Sequence, residues 1–129
     1  MIRVTPLESF RQHRSDIPAE LEADVRLPTL IIEHPNYSEL LWALRLTEFF
    51  GDVSGQFGYQ PNVQWKDDGA GVVSYADSRV APAGGATGTC ACRVRSGEDG
   101  LTFEIDVTNQ SSETWSDCWA WLCLIHRWS

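Results

Sequence analysis

The chain has 129 residues, 43% of them apolar, which suits one domain with a packed core that needs neither a disulfide nor a metal to hold it. Eighteen acidic residues against 10 basic ones leave a formal charge of −8, which repels phosphate backbones and anionic bilayers and so argues against nucleic acid and membrane as partners. No apolar run reaches the ~18 residues of a membrane-spanning helix, and residues 1–14 have no apolar signal region, so a cytoplasmic location is the expectation.

In chain order, residues 1–27 read as helical or irregular. Thr5 is placed to cap a helix with Pro6 at its first position and Glu8 completing a capping box. Asp16 is placed to cap a second helical turn that runs toward Val25. Between Pro28 and Pro35, Thr29–Glu33 is a short apolar run that reads as a strand, of edge character.

Residues 39–50 are rich in Leu, Glu, Ala and Arg and are followed by Gly51, which predicts a helix. The alternation of Leu40, Trp42, Leu44 and Leu46 is the competing strand signal. Residues 51–62 read as a loop, followed by short strands at 63–65 and 72–75 around the turn at 67–71. Residues 81–88 form an uncharged loop of small residues.

The hairpin that follows is the clearest local pattern. Cys90, Cys92 and Val94 alternate with Ala91, Arg93 and Arg95, and residues 96–100 make the turn. Leu101, Phe103, Ile105 and Val107 then alternate with Thr102, Glu104, Asp106 and Thr108, which requires one buried and one wet face. Arg93 and Arg95 are expected to face Glu104 or Asp106. After a turn at 109–113, the run from Trp119 to Ile125 is apolar throughout and predicts a strand covered on both faces. Such a strand at the last residues given implies a homo-oligomer or further C-terminal sequence. The fold expected is therefore mainly β: an antiparallel, sandwich-like sheet with one or two N-terminal helices.

The candidate chemistry is sparse. Cys90, Cys92, Cys118, Cys123 and His126 lack the tight-turn spacing of a zinc site, so no metal and no cofactor is implied, and reduced thiols are expected. The sequons at Asn36 and Asn109 read as turn residues. No carboxylate pair, phosphate loop or dinucleotide fingerprint is present. Six tryptophans in this length stand out, four of them at Trp115, Trp119, Trp121 and Trp128. Indole faces stack on the CH faces of sugars and also dominate protein interfaces. Trp119 and Trp121 read as core residues of one strand face, whereas Trp115 and Trp128, at the ends of the run, read as surface groups. His126 is placed to orient a ligand oxygen or to act as a general acid.

The stretch from Asp99 to Arg127 resembles the galactose-mutarotase-like superfamily. There an alternating strand ending in Thr-Asn, here Thr108-Asn109, leads into a second strand with a sugar-contacting histidine, here at His126. That resemblance implies carbohydrate binding or sugar epimerase-like chemistry on a partial mutarotase-like β-sandwich, with His126 in the catalytic position and Trp115, Trp121 and Trp128 as ligand-binding residues. The family's catalytic carboxylate lies further downstream than this sequence extends. The alternative reading is a non-enzymatic interaction module that oligomerises through its Trp-rich C-terminal strand.

Overall fold

A computed structural model describes residues 1–14, 28–56, 58–59, 63–81 and 88–128, with side chains of residues 47–50, 58–59, 77–81 and 125–128 excepted. The described elements are β1 (Arg3–Pro6), α1 (Leu7–His13), β2 (Thr29–Glu33), β3 (Leu40–Asp52), β4 (Gly55–Gln56), β5 (Gly58–Tyr59), β6 (Lys66–Gly69), β7 (Val72–Ala81), β8 (Gly88–Ser96), β9 (Leu101–Asn109) and β10 (Trp119–Trp128).

They form two antiparallel sheets. The first runs β1-β2-β3-β10, with β4 folded back on β3; the second runs β5-β7-β8-β9, with β6 paired to β7. One core joins them: Leu30, Ile32, Leu44 and Leu46 of the first sheet meet Val73, Tyr75, Cys90, Cys92 and Val94 of the second. This is the mainly β, sandwich-like architecture expected, with one short helix among the described residues. Helix α1 lies on the outer face of the first sheet, where Leu7 and Phe10 pack on Ile31, Leu41 and Ala43. Burial of both faces explains why β2 and β3 are so apolar. No helix among the described residues is long and apolar enough to cross a membrane.

Thr29–Glu33, expected at an edge, is β2 between β1 and β3, and four further local expectations are corrected. Residues 39–50 are not a helix: β3 occupies Leu40–Asp52, because two faces needing cover outweigh the helix propensity of its residues. Thr5 lies in β1 and caps nothing; Pro6 is the N-cap position and its side chain makes no capping bond. Residues 63–65 are not a strand, and β6 instead forms at Lys66–Gly69, turning into β7 through Gly69, Ala70 and Gly71, all at positive φ. Strand β10 is not central. Among the described residues it lies at the end of its sheet, paired with β3, and it exposes Trp121 (62%), Leu122 (40%) and Leu124 (61%). The second helical turn expected from Asp16 lies outside the described residues.

The β8–β9 hairpin forms in the register that alternation implies, with Arg93 opposite Glu104, Cys92 opposite Ile105 and Val94 opposite Phe103. Leu101, Ile105 and Val107 face the core but are only partly buried, and Phe103 is exposed. The reason is topological: among the described strands β9 lies at the end of its sheet, so its inward face has a neighbouring strand on one side only.

Candidate functional site: a groove between the two sheet edges

Where β9 ends and β10 begins, a groove of about 700 Å³ opens between the sheets. Ile105 and Val107 form its apolar floor, Trp115 and Trp119 contribute indoles, and Glu113 and Thr114 add polar groups. Polar and apolar groups share the lining about equally, with Asn109, Ser111 and Ser112 also on it, and the volume is within the range of small-ligand sites.

The connection between β9 and β10 is fixed by its own hydrogen bonds. Asn109 Oδ1 accepts from the Ser111 amide (2.9 Å) and hydroxyl (2.7 Å), while Asn109 Nδ2 donates to the Glu113 carbonyl (2.6 Å). Asn109 therefore serves as a turn residue. Beyond it, the Trp115 ring lies directly against Gly88 at the start of β8, where any Cβ would strike the indole and the Thr108 carbonyl. Glycine is needed here for close approach, and the aromatic residue is seated by a missing side chain.

Asp52, at the tip of β3, anchors the other wall. Its Oδ1 accepts from the Ser54 hydroxyl (2.6 Å) and amide (2.8 Å), and its Oδ2 from the Ser116 amide (3.3 Å). Its backbone carbonyl accepts from Trp119 Nε1 (3.2 Å), and the Val53 amide donates to the Ser116 carbonyl (3.0 Å). These bonds pin residues 116–119 to the β3–β4 turn and orient the Trp119 ring, which also lies against Gly51. The Ser54 hydroxyl and amide, helped by Ser116, hold the Asp52 carboxyl below its ordinary value against the opposing effect of burial.

Of the residues singled out in the sequence, Trp115 lines the groove. Trp121 is not among the lining groups but touches its neighbour Trp119, with ring centroids 6.1 Å apart and planes tilted by 56°. The backbone places His126 opposite Trp42 and Trp128 opposite Leu40, toward the far end of β10. His126 is seven residues along the strand from Trp119, roughly 23 Å at the rise of an extended chain. Within one chain the groove and the histidine are thus separate; the side chains of His126 and Trp128 lie outside the described part of the structure. Trp119, read as a core residue, is instead a half-buried wall. The sequence signal for that was Gly51, whose contact with Trp119 is long-range.

Cys90 and Cys92 are buried thiols in the core, Cys118 is exposed beside the groove, and Cys123 is half-buried on β10. Burial pushes the Cys90 thiol up, and that of Cys92 up to about 12, which keeps both protonated and unreactive. Among the described residues, no group of three or more His, Cys, Asp or Glu side chains is arranged to hold a metal ion. No family model matches the chain, and no curated protein or solved structure matches it either.

Proposed function

We propose that the protein is a carbohydrate-binding β-sandwich whose site is the groove between β9 and β10. The observation that carries this reading is the pairing of two oriented indoles, Trp115 and Trp119, with a polar rim in a groove of about 700 Å³. A pyranose has apolar CH faces and a ring of hydroxyls, so it needs an aromatic face and nearby polar groups. Glu113 is exposed in this rim and can accept hydrogen bonds from hydroxyls, and the Thr114 hydroxyl can both donate and accept. The ligand class is therefore a monosaccharide or the terminal unit of a glycan. Binding needs no catalytic histidine, and epimerase-like chemistry through His126 forms no part of the proposal.

The test is a titration with neutral, amino and acidic sugars at millimolar concentration, read by indole NMR shifts and tryptophan fluorescence. Shifts should concentrate on Trp115 and Trp119. Glu113→Ala and Thr114→Ala, both at exposed positions, should weaken binding while leaving the fold intact. A chain that gives no response to any sugar class, or responds equally after both substitutions, is not a carbohydrate-binding protein of this kind.

A further inference from the structure

We infer that the groove selects amino sugars, holding a protonated amine against Glu113, over neutral sugars, and that it disfavours acidic ones. This selection presupposes that the groove binds carbohydrate, and it names the class of sugar. Among the described residues that line the groove, Glu113 is the one charged group, and none is a lysine, arginine or histidine. Residues 82–87, which lead into Gly88, contain no charged residue in sequence.

A carboxylate can read a ligand only if it is both placed and free. The Glu113 backbone is fixed: its carbonyl accepts from Asn109 Nδ2 (2.6 Å) and from the Ser111 hydroxyl (3.3 Å), and its amide donates to that hydroxyl (3.2 Å). Its side chain is exposed, and among the described residues its carboxylate makes no hydrogen bond and no ion pair. Asp52 differs, because its carboxylate oxygens are already taken up by Ser54 and Ser116. One acidic group thus builds the wall and the other is left for the ligand.

The surroundings carry the same sign. Asp117 is exposed and precedes Cys118, which lines the groove, and the whole chain has a formal charge of −8. Such a field draws in cations and repels anions, with a reach of about 8 Å at physiological salt. The indoles of Trp115 and Trp119 act in the same direction, since an indole face attracts a cation as well as the CH face of a pyranose. An amino sugar offers both features, CH groups for the indoles and an ammonium for Glu113. A neutral sugar offers the first alone. A uronic acid sets its own carboxylate against that of Glu113.

The test compares D-glucosamine, D-glucose, N-acetyl-D-glucosamine and D-glucuronic acid on the full chain, read by indole NMR shifts. At about pH 6 the sugar amine is protonated, as an α-amino group is. Glucosamine should bind about fivefold or more tighter than glucose, with glucuronic acid the weakest of the four. N-acetylation keeps a substituent on the same carbon and removes its charge, so it should erase the advantage. Glu113→Gln keeps the size and hydrogen-bonding capacity and should bring glucosamine to the level of glucose. Glu113→Lys should place glucuronic acid above glucosamine. The position is exposed, so the circular dichroism spectrum of both variants should be unchanged. Equal binding of glucosamine and glucose, or a preference that survives Glu113→Gln, overturns the selection and leaves the carbohydrate reading standing. No response to any of the four sugars overturns both.

Discussion

The Tyr75 hydroxyl donates to the backbone carbonyl of Leu46 at 2.7 Å, crossing from β7 in one sheet to β3 in the other. The bond falls where β3 departs from regular pairing with β10: Arg45 pairs with Cys123 and Phe49 with Trp121, so four residues of β3 span two of β10. The Leu46 amide is satisfied elsewhere, by the Pro28 carbonyl at 3.0 Å. A bulge of this kind leaves backbone groups without ladder partners. Tyr75 supplies one from the facing sheet, while its ring packs edge-on against Trp65 at 4.8 Å. Tyr75→Phe keeps the ring and removes the donor. It should cost about 1–3 kcal/mol, the penalty of a buried carbonyl left unsatisfied, measured by urea unfolding. A neutral result would mean that water replaces the hydroxyl and the inter-sheet bond contributes nothing.

Asp52 couples stability to pH. Its carboxylate accepts hydrogen bonds in the fold that the unfolded chain lacks, so its folded value lies below the ordinary 3.8. A depressed carboxyl contributes stability above the unfolded value, and that contribution is lost as pH falls through the folded one. Thermal unfolding followed from pH 6 down to about pH 2 should show wild type losing stability below about pH 4. Asp52→Asn should start less stable and fall less steeply across that range. The Trp119 emission should shift in the variant, because the Asp52 carbonyl that accepts from Trp119 Nε1 belongs to the same turn. Parallel acid profiles would assign the sensitivity to another carboxylate.

The thiols divide by burial. Cys90 and Cys92 are each 3% exposed and held protonated, whereas Cys118 is exposed. In the native protein at pH 8, a disulfide reagent should modify Cys118 quickly and leave Cys90 and Cys92 untouched until denaturant is added. A thiol raised in the fold contributes stability that is present below its unfolded value and lost as pH rises. The fold should therefore weaken above about pH 9, and Cys92→Ala should reduce that alkaline slope. Rapid modification of all four thiols would show that the inter-sheet core opens readily.

Much of the fold was legible in the sequence where side-chain alternation was clean. The β8–β9 register follows from it, down to Arg93 opposite Glu104. Strand β3 carried its own answer in Leu40, Trp42, Leu44 and Leu46, but Ala43, Glu39 and the leucines are also strong helix formers, and local propensity cannot register that α1 waits on one face and Tyr75 on the other. Strand β10 misled for a different reason. An apolar run looks the same whether a sheet covers it within the chain or it lies bare at an edge. The groove was least legible. It depends on Trp115 reaching Gly88 and Trp119 reaching Gly51, contacts made by loops whose closure leaves no periodic trace.

The position of β9 at a sheet edge sets the last expectation. From alternation alone, Phe103 belongs to the buried face, and its truncation would rank with a core deletion. In the fold it is 39% exposed, although it stands opposite Val94, which is fully buried. The face is right and the cover is missing. Deleting a side chain removes transfer energy only for the area that was hidden, and it leaves a cavity only where neighbours enclose the site. Phe103→Ala should therefore cost about 1–2 kcal/mol, since roughly half of a phenylalanine's burial is at stake and solvent fills the space. Leu30→Ala, at a fully buried position between the sheets, should cost about 2–5 kcal/mol because its neighbours cannot collapse into the void. Urea unfolding of the two variants under the same conditions measures the contrast. Equal losses would mean that the inward face of β9 is covered in solution, and the sheet edge there would have to be redrawn.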